Sequence, residues 1–153
     1  MFLVEPVPYT AFAPATATIV IKAGGDSMDI ELERTFIANF VLKSKRERMQ
    51  WEACTLRKRS DYIWTLPRVL DERFMFEVVC ADRTDMYRHL VKAGAPDQCY
   101  FFSHDPDFDG RKFSLHDTFF LNECFRHVEL IVCDPEHLAF LYDEDQKKYI
   151  LKK

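Results

Sequence analysis

The second half of the chain contains short apolar runs separated by turns rich in acidic residues. Each run is four to six residues long, which suits a strand better than a helix. The connections near Asp134-Pro135-Glu136 and Asp143-Glu144-Asp145 are too short for anything but antiparallel neighbours. We therefore expect strands at 99–103, 128–133, 138–142 and 148–151, the last two forming a terminal hairpin.

The first half predicts a hairpin followed by a helix. Thr16 to Lys22 is rich in β-branched residues, 23–26 is a Gly-containing turn, and Met28 to Leu32 alternates apolar and acidic residues like a half-buried strand. Apolar residues at 36, 37, 40 and 41 then predict a helix over Glu33 to Leu42.

The middle of the chain completes a mixed pattern. Residues 49–57 fit a strand or a continued helix, and Arg73 to Cys80 predicts a strand. Asp82 to Lys92 predicts a helix that Asp82 caps and Gly94 ends, and 114–125 predicts a short helix beginning near Ser114. The sum is an α+β fold: a mostly antiparallel sheet covered by two or three helices, as a single pair of layers.

Composition predicts one globular domain over residues 1–153, with an extended segment at 1–15 that holds three prolines. The chain is 48% hydrophobic and 14% aromatic, enough for a packed core. Its five cysteines are odd in number and none forms a C-x-x-C pair, which favours reduced thiols in a cytoplasmic protein. The sequence shows no basic leader, and we expect no membrane span.

An Asp-rich segment, Asp105-Pro106-Asp107-Phe108-Asp109-Gly110, has the form that opens a calcium loop. Alternate carboxylates converge on a hard cation, and Gly allows the sharp turn. The twelfth position, however, is His116, where such loops use a bidentate Glu. A divalent-cation domain or enzyme with Asp105, Asp107, Asp109 and His116 as ligands is therefore the second hypothesis, and a polar connecting loop is its alternative.

Other chemical sites find less support. Cys124, His127, Cys133 and His137 have the types of zinc ligands, but the apolar run between the pairs would carry them apart. Phosphate-binding glycine loops are absent, and no nucleophile has an activating pattern around it. We expect no cofactor and favour a protein that is not an enzyme.

Charge is divided between two segments. Residues 43–59 hold seven basic side chains against two acidic ones, with Trp51 among them, and could meet a phosphate backbone. The formal net charge of −4 counts against general nucleic-acid binding, because an acidic body repels a polyanion. Residues 97–145 hold twelve acidic side chains against three basic ones.

The acidic excess is concentrated in three loops, which are where binding residues tend to lie. They predict a surface that binds a basic partner protein. One concrete form is that this chain is a small cytosolic inhibitor or immunity-type protein, and that its partner is a basic toxin or nuclease. Close together the loops would form an interface, whereas dispersed they would only keep the protein in solution. The predicted contact residues are Asp105, Asp107, Asp109, Asp134, Glu136, Asp143, Glu144 and Asp145.

Overall fold

The fold is built on a six-stranded antiparallel sheet with helices on both faces. The structure, a computed structural model, describes residues 28–79, 82–120 and 129–153. The strands run in the spatial order β1-β6-β5-β4-β2-β3, and every neighbouring pair is antiparallel. They are β1 Met75–Glu77, β2 Gln98–Ser103, β3 Lys112–Ser114, β4 Glu129–Asp134, β5 Leu138–Tyr142 and β6 Lys148–Lys152.

Five α-helices lie in the described part of the chain, with four short 3-10 turns between them. None of these helices is both long enough and apolar enough to cross a bilayer. The helices are α1 Ile30–Phe40, α2 Arg46–Ala53, α3 Arg59–Thr65, α4 Arg83–Lys92 and α5 Leu115–Phe120. The 3-10 turns are Lys43–Lys45, Leu56–Lys58, Leu66–Val69 and Glu72–Phe74.

Two buried clusters lie on opposite faces of the sheet, because successive side chains of a strand point to opposite sides. Tyr100 and Phe102 of β2 pack in one cluster with α1, α2 and α3. Cys99 and Phe101 pack in the other with α4 and α5. The predicted α+β class is confirmed, but the helices form layers on both faces rather than the single pair of layers that the sequence suggested.

Local signals account for several confirmed elements. Asp82 accepts a hydrogen bond from the N–H of Asp85 at the start of α4 (2.9 Å), and Gly94 lies just past its end with φ +101°. Ser114 Oγ accepts from the N–H of Asp117 (3.2 Å), so the short helix predicted there begins where expected. The terminal hairpin pairs Tyr142 with Lys148.

The prediction that Met28 to Leu32 forms the second strand of an N-terminal hairpin is wrong. Residues 30–32 of that segment form the first turn of α1, because the Asp29 carboxylate accepts the N–H of Leu32 (3.0 Å) and Glu31 adds a favourable negative charge at the helix start. The strand predicted at 16–22 and its turn lie outside the described residues. The ambiguous segment 49–57 is helical up to Ala53.

The predicted strand at Arg73 to Cys80 is shorter than expected. Asp71 accepts the N–H of Arg73 (3.1 Å), and the resulting 3-10 turn delays the strand until Met75. β1 then lies at one end of the order of the six described strands, where it pairs with β6. Cys80 lies outside the described residues.

Candidate functional site

The strand register places the three acidic loops at two different ends of the sheet. Ser103 lies opposite Glu129, and Glu129 lies opposite Tyr142, so β2 and β5 end at the same edge, here called the tip end. The loops 105–109 and 143–145 are therefore both at the tip end. The strands β2 and β5 that lead into them lie on either side of β4, about 10 Å apart. Asp134 is the last residue of β4 and Glu136 follows it, so both lie at the opposite, distal end.

The loop 105–109 is closed by its own hydrogen bonds. Asp105 Oδ1 accepts the N–H of Asp107 (2.9 Å), and the Asp105 carbonyl accepts the N–H groups of Phe108 and Asp109 (2.9 Å each). Gly110 then turns the chain with φ +73°. Asp109 points inward, since the N–H of Ser103 donates to its Oδ1 (3.1 Å) and Arg59 binds both of its carboxylate oxygens.

The four ligands of the cation hypothesis do not converge. Arg59 already occupies the carboxylate of Asp109. His116 follows β3, whose last residue Ser114 lies opposite Gln98, so the histidine is at the distal end. There its ring packs against Phe120 with centroids 4.7 Å apart. The geometry therefore offers no shared cation position for this set.

Glu33 is fully buried at the centre of a polar cluster beneath this loop. Arg59 donates to both of its oxygens, from Nη1 to Oε1 (2.7 Å) and from Nη2 to Oε2 (2.9 Å). The Tyr62 hydroxyl donates to Oε1 (3.2 Å) and the Tyr100 hydroxyl to Oε2. With Asp109 on the other side of Arg59, the cluster joins α1, α3, β2 and the 105–109 loop.

The pKa values of the cluster follow from its burial. Burial alone would lower the pKa of Arg59, but hydrogen bonds to Asp109 and Glu33 outweigh it, so the pKa is raised. Burial and the charge of Glu33 raise the pKa of Tyr62 and of Tyr100. Arg59 therefore stays charged and both phenols stay protonated. Both carboxylate oxygens of Glu33 accept hydrogen bonds within the cluster, so Glu33 offers no free acceptor to a substrate. The role of the cluster is to position the 105–109 loop.

The tip between β5 and β6 is held by the carboxylate of Asp143. Its Oδ1 accepts the N–H of Asp145 (3.0 Å) and of Lys147 (2.8 Å). Gln146 takes a positive φ of 63° to complete the turn. Glu144 and Asp145 are exposed, so their charges face solvent while Asp143 also serves the turn.

A cavity of about 140 Å³, the tip cavity, lies beside these three carboxylates. Trp64 forms one wall, packed against the ring of His104 (centroids 4.6 Å apart). Arg68 lies with Cζ 5.9 Å from the Trp64 centroid, and its Nη2 is 3.5 Å from Glu144 Oε1. The lining residues are Trp64, Pro67, Arg68, Met75, Leu141, Asp143, Glu144, Asp145 and Tyr149.

At the distal end, ligand atoms of Asp134, Glu136 and His137 lie within 4.8 Å of one another. Asp134 accepts the N–H of Glu136 (2.9 Å), and its other oxygen lies 3.1 Å from His137 Nδ1. The first bond, with a smaller contribution from His137, lowers the pKa of Asp134. These bonds form the turn itself, and Glu136 and His137 are exposed in it.

The zinc pattern is only partly within the described residues, since Cys124 and His127 lie outside them. Cys133 is buried in the core beside Cys99, and a hydrogen bond between the two thiols, with burial, raises the pKa of Cys133. His137, by contrast, is exposed in the turn. A raised thiol pKa disfavours the thiolate that zinc requires.

The basic segment 43–59 is mostly on the surface. Its helix α2 presents Trp51 with 60% of its surface exposed, and Arg48 binds Glu52 on the next turn (3.0 Å). Among its basic side chains Arg59 is turned inward and only 12% exposed. Nucleic-acid binding through this segment stays a prediction.

Three features of the site escaped sequence reasoning: the burial of Glu33, the pairing of Arg59 with Asp109, and the wall formed by Trp64 and Arg68. One signal was present for Glu33, which lies three, four and seven residues before Phe36, Ile37 and Phe40, on the apolar stripe of α1. No family model matches the chain, and searches of curated proteins and of solved structures found no match either.

Proposed function

We propose that this chain is a non-catalytic binding domain that engages a basic partner protein through its tip end. The observation that carries the proposal is the tip cavity, where carboxylates of Asp143, Glu144 and Asp145 border walls formed by Trp64 and Tyr149. A pocket that takes an apolar or aromatic anchor, with charges at its rim, is the usual form of a binding hot spot.

The loop 105–109 enlarges the acidic surface on the same side. Asp105 and Asp107 lie at the tip end, and Asp107 is exposed. Carboxylates in such an arrangement accelerate encounter with a cationic protein and make the rate of association sensitive to salt. Asp109 belongs to the buried cluster, and Asp134 and Glu136 lie at the other end, so we assign the contact to Asp105, Asp107 and 143–145.

One concrete form of this function is a small cytosolic inhibitor or immunity-type protein that neutralises a basic toxin or nuclease. A nuclease must attract phosphate, so its own site is cationic and is complementary to an acidic surface. The net charge of −4 agrees with that role, and so do Cys54, Cys99 and Cys133, which form no disulfide within the described ranges.

The test neutralises the tip without breaking its turn. In the variant Asp143→Asn/Glu144→Gln/Asp145→Asn, the Asn at 143 keeps the oxygen that accepts the N–H groups of Asp145 and Lys147. The partner is captured from the native host, identified by mass spectrometry and titrated calorimetrically at low and high salt. We expect salt-weakened binding by the wild type and a loss of at least about tenfold, or ~1.4 kcal/mol, in the variant.

A matched control removes charge from the distal end. Asp134→Asn/Glu136→Gln also keeps its turn acceptor, and we expect it to bind the partner like the wild type. Equal losses in both variants would show a general effect of net charge. Full binding by the tip variant would refute the proposed surface. If the partner is a nuclease, inhibition of DNA hydrolysis should follow the same order.

A further inference from the structure

Glu52 of α2 is a buried carboxylate with an unused acceptor. Its residue is 6% exposed, and Oε2 accepts a single hydrogen bond, from Arg48 Nε (3.0 Å). Oε1 has no hydrogen-bond partner among the described residues. A buried charged oxygen without a donor is destabilising, so a ligand that supplies an N–H there gains more than it would at an exposed carboxylate.

Glu52 lines a shallow groove of about 530 Å³ between α2, α3 and the tip, here called the helix groove. Asp61 and Glu144 are the other acidic residues of its walls, and Trp64 contributes an aromatic surface that is 45% exposed. Trp64 and Glu144 also line the tip cavity, so the two depressions form one continuous surface.

Two arginines of the chain itself show which chemical group this surface accepts. Arg48 holds Glu52 through one nitrogen, although its side chain is 72% exposed. Arg68 lies over Trp64 and reaches Glu144 at 3.5 Å, also from an exposed position. The pair of Arg68 and Glu144 is exposed on both sides and contributes little to stability, so Arg68 can move aside at small cost. Arg48 can leave the buried Glu52 when an incoming guanidinium takes over its hydrogen bond.

We propose that the helix groove binds a guanidinium group, namely an arginine side chain of the basic partner, with Glu52 as its principal acceptor. Such a group approaching end-on donates two parallel N–H bonds to Oε1 and Oε2, in place of the single bond from Arg48. Its alkyl stem lies against Trp64. The identity of the partner rests on the function proposed above, whereas the chemistry of the groove does not.

The test uses a small probe and therefore needs no partner. N-acetyl-arginine methylamide is titrated into the labelled full chain while NMR follows the amide of Glu52 and the indole N–H of Trp64. The citrulline analogue, which has the same shape without the charge, serves as the control ligand. We expect saturable shifts with the arginine probe and at least about fivefold weaker binding of the citrulline probe.

Two variants give opposite expectations. Glu52→Gln removes the charge while keeping the shape, and should weaken binding of the arginine probe at least about fivefold. Arg48→Ala removes the internal competitor and should strengthen it. An anion site would behave in the reverse way, because inorganic phosphate would use Arg48, Lys58 and Arg68 and would lose affinity in Arg48→Ala.

Several results would overturn the guanidinium site. They are equal binding of the arginine and citrulline probes, shifts confined to residues outside the groove, or phosphate binding that Arg48→Ala abolishes. If Glu52→Gln fails to fold, Asp61→Asn, at an exposed position of the same wall, replaces it. If the tip variant loses partner binding and Glu52→Gln does not, the proposed guanidinium site is refuted and the tip surface stands. If Glu52→Gln loses partner binding and the tip variant does not, the tip surface is refuted and the guanidinium site stands.

Discussion

Removal of Arg59 tests the buried cluster most directly, because this side chain forms ion pairs with the two buried carboxylates of Glu33 and Asp109. In Arg59→Met the fork of four charge-assisted hydrogen bonds is lost: two to Glu33 (2.7 and 2.9 Å) and two to Asp109 (2.7 and 2.9 Å). Met fills similar space, so the change removes charge and hydrogen bonds more than volume.

The expected cost at neutral pH is about 3–5 kcal/mol of unfolding free energy, the range for a buried pair that loses one partner. Most of this cost comes from Glu33, because its fully buried carboxylate would keep only the hydroxyl donors of Tyr62 and Tyr100.

Urea denaturation of the wild type and the variant at neutral pH measures this loss of unfolding free energy. Arg88→Met is the matched control, because Arg88 meets Asp85 at 3.8 Å on the exposed face of α4 and should contribute within about 0.5 kcal/mol. A loss below about 1 kcal/mol for Arg59→Met at neutral pH would refute the role of the cluster.

Two further predictions concern other parts of the fold. A Cβ at Gly110 (φ +73°) would lie 2.6 Å from Met28 Cγ, whereas one at Gly94 (φ +101°) would meet nothing within 4 Å. Both Gly→Ala variants should lose ~1–2 kcal/mol of unfolding free energy to backbone strain. Gly110→Ala should lose clearly more, because its methyl group also meets Met28. Chemical denaturation measures both losses, and equal losses would contradict the contact with Met28. Because burial and Glu33 raise the pKa of Tyr62 and Tyr100, these two of the six tyrosines should resist ionisation in an ultraviolet titration until the chain unfolds. The protonated phenols of Tyr62 and Tyr100 contribute their full stabilisation of the fold below about pH 10, and this contribution is lost as the pH rises further. Six phenols ionising together in the folded protein would disprove the burial of these two.

The sequence predicted the elements whose signals are local. The terminal hairpin, the strand predicted at 99–103 and the capped helix α4 each have their determinants within a few residues, as with Asp82 and Gly94. The helix after residue 33 was also found, because its apolar stripe repeats with the helical period. The pattern did not predict the start of this helix, since Met28 to Leu32 alternates like a strand and the opposing signals are the cap at Asp29 and the charge of Glu31 in the first turn.

The layers on both faces of the sheet were not predicted, although a signal for them exists. Strands β2 and β5 are almost continuously apolar, and their residues are buried on both sides. A strand with one face in solvent would alternate apolar and polar residues. The run Cys99 to Phe102 therefore indicates cover on both faces, which a search for hairpins alone does not reveal.

The candidate site was predicted only in part, because its arrangement depends on long-range pairing. That 105–109 and 143–145 share one end follows from the strand register, and the sequence does not state which strands are neighbours. The inward turn of Asp109 depends on Arg59, fifty residues away. A carboxylate in an Asp-rich loop and one in a buried ion pair look the same until that distant partner is known.

The buried cluster and the tip surface are physically connected through Trp64. Arg59 begins α3 and holds Asp109, which fixes the loop after β2, and the same helix carries Trp64. At the start of that loop, His104 rests on the Trp64 ring. Trp64 in turn lines both the tip cavity and the helix groove. The buried charges of Glu33 and Asp109 therefore hold the aromatic wall in place, so that the acidic tip faces a preformed surface and a partner does not have to order it on binding.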